Sequence, residues 1–227
     1  MPRFKNICIL LLLLLCAGYA QAQTEEKAEP LVEGVDKPTL IEVGDEALNF
    51  AWPEITYTNG QPRVTQRTLY VFRDLRNMLI CFSPPIDVRF TPTWTRKFLS
   101  LPASQVLKDS YTTLVYVFPG NQYEVTTYRA NNQIPLYMLG DEDHSVIGLY
   151  GVPEEVITNH WRNRRRRAFV LVGSDMKIKY VNYYTDEGEG WTELLTVIEE
   201  VGKEHVERLK AEGKWEADAA QDSDPAK

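Results

Sequence analysis

Few residues in this chain are of a type that does chemistry. Cys81 is the one thiol left once residues 1–22 are removed as a leader, because Cys8 and Cys16 lie within them. A thiol acts as a nucleophile only as the thiolate, and a lone cysteine forms no internal disulfide even where the compartment is oxidising. Any mechanism needing two cysteines in one subunit is thereby excluded. Cys81 lies in Met78–Phe82, an unbroken apolar run, where a free cysteine reads as a small buried hydrophobe. The alternative is a redox-active thiol or an intermolecular disulfide. Asp141-Glu142-Asp143-His144 offers metal-ligating side chains, but neighbours in sequence rarely converge on one ion. This stretch reads instead as the acidic loop at a helix N-terminus. His160 and His205 stand alone. With no phosphate-binding glycine loop, nucleophile elbow or paired ligand motif, no metal and no cofactor are expected.

The N-terminus reads as an export signal. Arg3 and Lys5 precede an apolar core from Ile7 to Ala17, and Ala20-Gln21-Ala22 supplies a small-x-small cleavage site. The core is about half the length a spanning helix needs, and no later segment is apolar enough to cross a membrane. Cleavage after Ala22 and a periplasmic or secreted product are expected. The full chain of 227 residues has a net charge of −7, which becomes −9 without Arg3 and Lys5, since the first acid is Glu25. Such acidity argues against non-specific nucleic-acid binding.

The elements that must position these groups follow from pattern. Residues 23–40 and 211–227 are polar and aperiodic, a flexible lead-in and an acidic tail around one domain at 41–210. Asn59-Gly60 signals a turn. Met78–Phe82 and Thr113–Phe118 are buried strands. Between them a helix is expected from Thr91, with Pro92 in its first turn and Pro102 ending or kinking it. Tyr123–Asn131 reads as a helix, Pro135–Leu139 as a short strand and His144–Tyr150 as a helix ending at Gly151. Ala168–Val172 and Ile178–Tyr183 form an antiparallel pair through Gly173-Ser174-Asp175. Trp191–Leu209 carries Leu194, Leu195, Ile198 and Val201 at helical spacing. Strands and helices alternate, then two strands and a helix close the chain, an α/β layered domain in thioredoxin-like order.

Over residues 41–202 the chain resembles the peroxiredoxin superfamily, in particular its thiol peroxidase and alkyl hydroperoxide reductase-like branches. Val43-Gly44-Asp45-Glu46-Ala47-Leu48-Asn49-Phe50 is similar to the opening Val-Gly-Asp-x-Ala-Pro-x-Phe, with Leu48 in place of proline. Asp74-Leu75-Arg76-Asn77 resembles the turn before the central strand. Pro135-Leu136 and Asp141 to Val152 resemble the Pro-Leu, Ser-Asp and Tyr-Gly-Val stretch, and Arg167-Ala168-Phe169-Val170-Leu171 the strand that carries a second active-site arginine. The resemblance implies an α/β thioredoxin-like fold with a central mixed sheet flanked by helices. The family's motif Pro-x-x-x-Thr-x-x-Cys falls on Pro84, Val88 and Thr91, so a threonine stands where the resemblance puts the peroxidatic cysteine.

That substitution decides what the resemblance implies. A cysteine beside an arginine at a helix N-terminus is ionised near neutral pH and cycles through a sulfenic acid. A threonine hydroxyl does neither. Val88 removes the hydroxyl that would bond the thiolate and the peroxide, and no resolving cysteine follows Cys81. Pro84, Val88, Thr91 and Arg167 are thus a remnant pocket, which Trp94 either fills or turns into an aromatic contact at a subunit interface. Arg162, Arg164, Arg165 and Arg166 are a docking patch for an anionic envelope surface or acidic protein, or a solvated loop whose exposed pairs are worth about 0–1 kcal/mol each. Two functions stay open: a non-catalytic protein that binds a protein partner or a second copy, and a divergent thiol-dependent oxidoreductase using Cys81 or a partner's thiol.

Overall fold

The computed structural model describes residues 40–58, 61–86, 91–158 and 166–214. The expected leader, nearly all of the lead-in, the Asn59-Gly60 turn and the tail beyond residue 214 lie outside them. All described residues belong to the unit Pro38–Lys227.

Two strands, β1 (Ala51–Thr58) and β2 (Gln61–Thr68), pair antiparallel with Thr58 opposite Gln61. The main sheet has five: β3 (Asn77–Phe82), β4 (Thr112–Phe118), β5 (Tyr137–Gly140), β6 (Arg167–Val172) and β7 (Ile178–Thr185). Their order is β5-β4-β3-β6-β7, parallel from β3 through β4 to β5 and antiparallel from β3 through β6 to β7. The helices are α1 (Thr91–Leu99), α2 (Leu101–Asp109), α3 (Gln122–Asn131), α4 (Ser145–Leu149), α5 (Glu154–Ile157) and α6 (Glu189–Ala211). A 3-10 turn, Leu69–Phe72, links the hairpin to β3. This is the mixed α/β, thioredoxin-like architecture that the resemblance implies.

Every residue of β3 is buried because the strand is covered on both faces. Met78, Ile80 and Phe82 join Val115, Val117, Ala168 and Val170 in one core layer. Leu79 and Cys81 join Tyr116, Phe169, Leu171 and residues of α1 and α6 in the other. The two-residue period of a strand does this sorting, and it puts Arg167 on the same face of β6 as Phe169 and Leu171.

The helix expected from Thr91 breaks at Ser100, two residues before Pro102. Ser100 is extended (φ −64°, ψ 145°) and Pro102 falls in the first turn of α2, where a missing N–H costs nothing. The helix expected at His144–Tyr150 is shorter, Ser145–Leu149. Its start is fixed by Asp141, which accepts from Val146 N at 3.2 Å and Ile147 N at 2.8 Å. Its end is set by Gly151 at φ 60°.

Candidate functional site

Two of the residues that the resemblance marks lie at the C-terminal end of β3: Pro84 follows the strand, and Arg167 precedes Ala168, the register partner of Phe82. Thr91 is the first residue of α1, and Pro84 is buried between that helix and the strand in sequence. Val88 lies outside the described residues, as do Arg162, Arg164 and Arg165. Arg166 is described and exposed, so the arginine run is seen only at its end.

Cys81 and Arg167 share one buried environment. Cys81 has no exposed surface and stands in register with Tyr116 on β4 and Phe169 on β6. Burial pushes its thiol pKa far up, and the Arg167 charge and the Tyr116 side chain pull it back without overcoming that. Burial likewise holds the Tyr116 phenol well above its ordinary range. Arg167 is 2% exposed. Its own pKa is lowered by burial against the opposing pull of Cys81, Tyr116 and Glu187, yet an arginine stays charged throughout the usable pH range.

Trp94 occupies the space beside Arg167. It is 1% exposed and lies one helical turn after Thr91, on the inner face of α1. Its ring centroid is 5.7 Å from that of Phe169, 5.8 Å from Trp191 and 6.4 Å from Phe98. The Arg167 guanidinium carbon sits 5.5 Å from the same ring, while Arg167 Nη1 donates to the Arg166 carbonyl at 2.7 Å. Lys97 closes the outer side, its Nζ 5.7 Å and 5.3 Å from the Trp94 and Trp191 rings and donating to the Glu187 carbonyl at 3.1 Å. Of the two roles open to Trp94 in the sequence, filling the interior is the one this geometry gives. A thiol, a phenol and a guanidinium are brought together here, but under a lid of aromatic rings.

The acidic loop is used locally. Asp141 accepts from Ser145 Oγ as well as the two α4 amides, Asp143 from Ser145 N at 3.1 Å, and Glu142 from Asn121 Nδ2 at 3.1 Å. Among the described residues no group of three or more histidine, cysteine or acidic side chains could hold a metal. His160 lies outside the described residues.

His205, which has no other histidine or cysteine near it in the sequence, is held by hydrogen bonds. It is 3% exposed on α6, its Nδ1 2.7 Å from Ser174 Oγ and its Nε2 3.2 Å from the Leu75 carbonyl. Arg208 Nη2 donates to Ser174 Oγ at 2.8 Å. The Ser174 N–H is bonded to Asn77 Oδ1 at 2.9 Å. This network lines a cavity of about 100 Å³ and ties the β6–β7 turn to α6. Residues 31 positions apart meet only because the sheet returns beneath the helix, and no local pattern signals that.

No family model and no curated protein matches the chain. Solved structures do match. The reduced 2-Cys peroxiredoxin of Plasmodium vivax superposes with a TM-score of 0.56 at 18% identity, over 71% of this chain and 97% of that one. AhpC of Mycobacterium tuberculosis gives 0.56 at 17% identity, over 70% and 92%. Peroxidoxin BcpB of the same organism gives 0.52 at 14%, over 70% and 96%. The chain has a peroxiredoxin-like, thioredoxin-type fold. At these identities the likeness establishes the fold and leaves the chemistry to this chain's own residues. Among the described residues no helix is long and apolar enough to cross a membrane.

Proposed function

We propose that this chain is an exported peroxiredoxin-fold protein that runs no thiol peroxidase cycle and serves as a binding or structural protein of the envelope. The observation that carries the reading is the environment of Cys81, the one cysteine among the described residues, fully buried in β3 with its thiol held protonated. In a peroxidase cycle a thiolate attacks one peroxide oxygen, the O–O bond breaks, water or an alcohol leaves, and the sulfur remains as a sulfenic acid for thiols to reduce. The thiolate must be both ionised and reachable, and Cys81 is neither.

Thr91 does not replace it. An alcohol, like water, ionises far above neutrality, a gap many times the ~1.4 kcal/mol that one unit represents. A helix N-terminus contributes about 0.3–1 kcal/mol. A hydroxyl oxygen also has no recyclable counterpart of the sulfenic acid.

One observation favours the second reading, a thiol-dependent oxidoreductase: Arg167 is near enough to pull the Cys81 thiol down. A single assay separates the two. The chain from Gln23 onward is given hydrogen peroxide and dithiothreitol beside its Cys81→Ala variant. Peroxide consumption equal in both supports a non-catalytic role, and consumption abolished by Cys81→Ala overturns it. Export has its own test, the mass of the released protein, which is expected to begin at Gln23.

A further inference from the structure

The β6–β7 turn and α6 bring a serine, a histidine and an arginine around one cavity, beside Asn77 at the start of β3 and apart from Cys81. Ser174 and His205 are each 3% exposed, and Arg208 is half-buried. The Ser174 backbone is held on both sides, its N–H by Asn77 Oδ1 at 2.9 Å and its carbonyl by the Asp74 N–H at 2.7 Å. The His205 ring is held as well, with Nε2 3.2 Å from the Leu75 carbonyl and the Tyr111 ring centroid 5.9 Å away. A carbonyl oxygen only accepts, so Nε2 carries the imidazole hydrogen and Nδ1 presents a lone pair. What meets that lone pair is the Ser174 hydroxyl, at 2.7 Å. Arg208, one turn further along α6, donates from Nη2 to the same oxygen at 2.8 Å and lies 3.4 Å from Nδ1.

A hydroxyl on a base whose second nitrogen is held by an acceptor is the arrangement that activates a serine. The Arg208 bond occupies a lone pair on Oγ and leaves the Ser174 hydrogen to Nδ1. The cavity that the three residues line is about 100 Å³, roughly three times the ~30 Å³ that a water molecule takes up in the liquid. That is room for a short acyl group. On such an ester, Oγ bonds to the acyl carbon as its proton passes to Nδ1, and the carbonyl pair moves onto oxygen. Arg208 faces the negative charge that develops, while the Leu75 carbonyl holds the imidazolium by its Nε2–H. Collapse re-forms the carbonyl and breaks the bond to the leaving oxygen, which takes the proton from Nδ1 and departs as an alcohol. Water repeats the sequence on the acyl-serine and releases a carboxylic acid.

We propose that Ser174, His205 and Arg208 form an acyl-transfer site for esters of short carboxylic acids, with Ser174 the nucleophile, His205 the base and Arg208 the oxyanion partner. The site shares no residue with Cys81, and its test uses no peroxide. The chain from Gln23 onward is treated with p-nitrophenyl acetate, and separately with a small fluorophosphonate, and the modified residue is located by peptide mass spectrometry. Both reagents are expected on Ser174 of the folded chain and not in urea, with the fluorophosphonate blocking acetylation. His205→Gln should slow Ser174 acetylation by about 100-fold or more, and Arg208→Gln by about 100-fold, with circular dichroism confirming that each folds. The parent alone is decisive where a variant does not fold: a Ser174 hydroxyl that only ties the turn to α6 stays unmodified, and that result overturns the proposal. Acetyl groups confined to Lys179 and other lysines overturn it too, as does labelling of Ser174 that is equal in urea or undiminished in folded His205→Gln.

Discussion

Trp94→Ala is the perturbation with the largest effect expected in this fold. The ring is 1% exposed and touches Phe98, Phe169, Trp191 and the Arg167 guanidinium. A buried tryptophan removes about 150–250 Å² from water, or roughly 4–6 kcal/mol at about 25 cal/mol per Å², of which alanine keeps a small part. Losing the aromatic and cation contacts adds to the cost. One term opposes it: Trp94 Nε1 is buried without a hydrogen-bond partner, so removing it recovers about 1–3 kcal/mol of desolvation. The balance is about 3–4 kcal/mol, within the usual range of about 3–5 for such truncations. It is a large share of a total stability of about 5–15 kcal/mol. Urea unfolding should show the midpoint falling by more than about 1 M with the slope unchanged. Trp94→Phe keeps a ring and discards the orphaned N–H, and should lose less than half as much. A Trp94→Ala loss below about 1 kcal/mol, or a larger loss for Trp94→Phe, refutes the assignment of this ring as a filled interior.

Asp141→Ala leaves the Val146 and Ile147 amides without their acceptor and should cost about 1–2 kcal/mol, seen as a melting point lower by about 2–8 °C at roughly 2–4 °C per kcal/mol. Burial pushes Asp175 up, but the Lys179 hydrogen bond, the Lys177 amide and the Lys179 charge outweigh it and hold the carboxyl below its ordinary pKa. Its contribution is therefore present above about pH 4, the unfolded value, and is lost as pH falls through the lower folded value. Urea midpoints between about pH 5 and pH 2 should fall less steeply in Asp175→Asn than in the parent. Gly202→Ala drives a β-carbon to 2.5 Å from Ser110 Cα. Overpacking of about 1–3 kcal/mol should exceed the gain of about 1 kcal/mol in helix propensity, so thermal unfolding should show a net loss.

Burial of both faces is what made the core strands legible. Met78–Phe82 and Ala168–Val172 are apolar without alternation, and a chain that never alternates is read the same way whichever face it presents. Pro102 was legible as a break because its ring acts locally. By contrast β2, Gln-Pro-Arg-Val-Thr-Gln-Arg-Thr, buries none of its described side chains and is placed by pairing with β1, so its sequence looks like loop. α5 has just four residues and no periodicity to detect. At the candidate site the identities of Thr91 and Cys81 were plain from sequence, whereas the packing of Trp94 against β6 and the joining of Ser174 to His205 were not. Both are contacts across the sheet, and hydrophobic period carries no information about which face meets which helix.

Arg167 bears most directly on how a remnant site is judged. A buried cation is costly unless its surroundings compensate, so an arginine in a closed interior needs a structural reason to be there. Here its Nη1 donates to the Arg166 carbonyl and its guanidinium lies against the Trp94 ring, a contact worth about 2 kcal/mol when desolvated. The same ring that fills the space beside the arginine therefore stabilises its charge. Arg167 and Trp94 form one unit in which neither needs a bound substrate to account for its place. Under the proposed function, Arg167→Lys should then lower stability, because a lysine cannot lie flat on the ring or keep the same planar fork of donors. A protein whose stability is unmoved by Arg167→Lys but whose peroxide consumption falls would assign the arginine to chemistry instead.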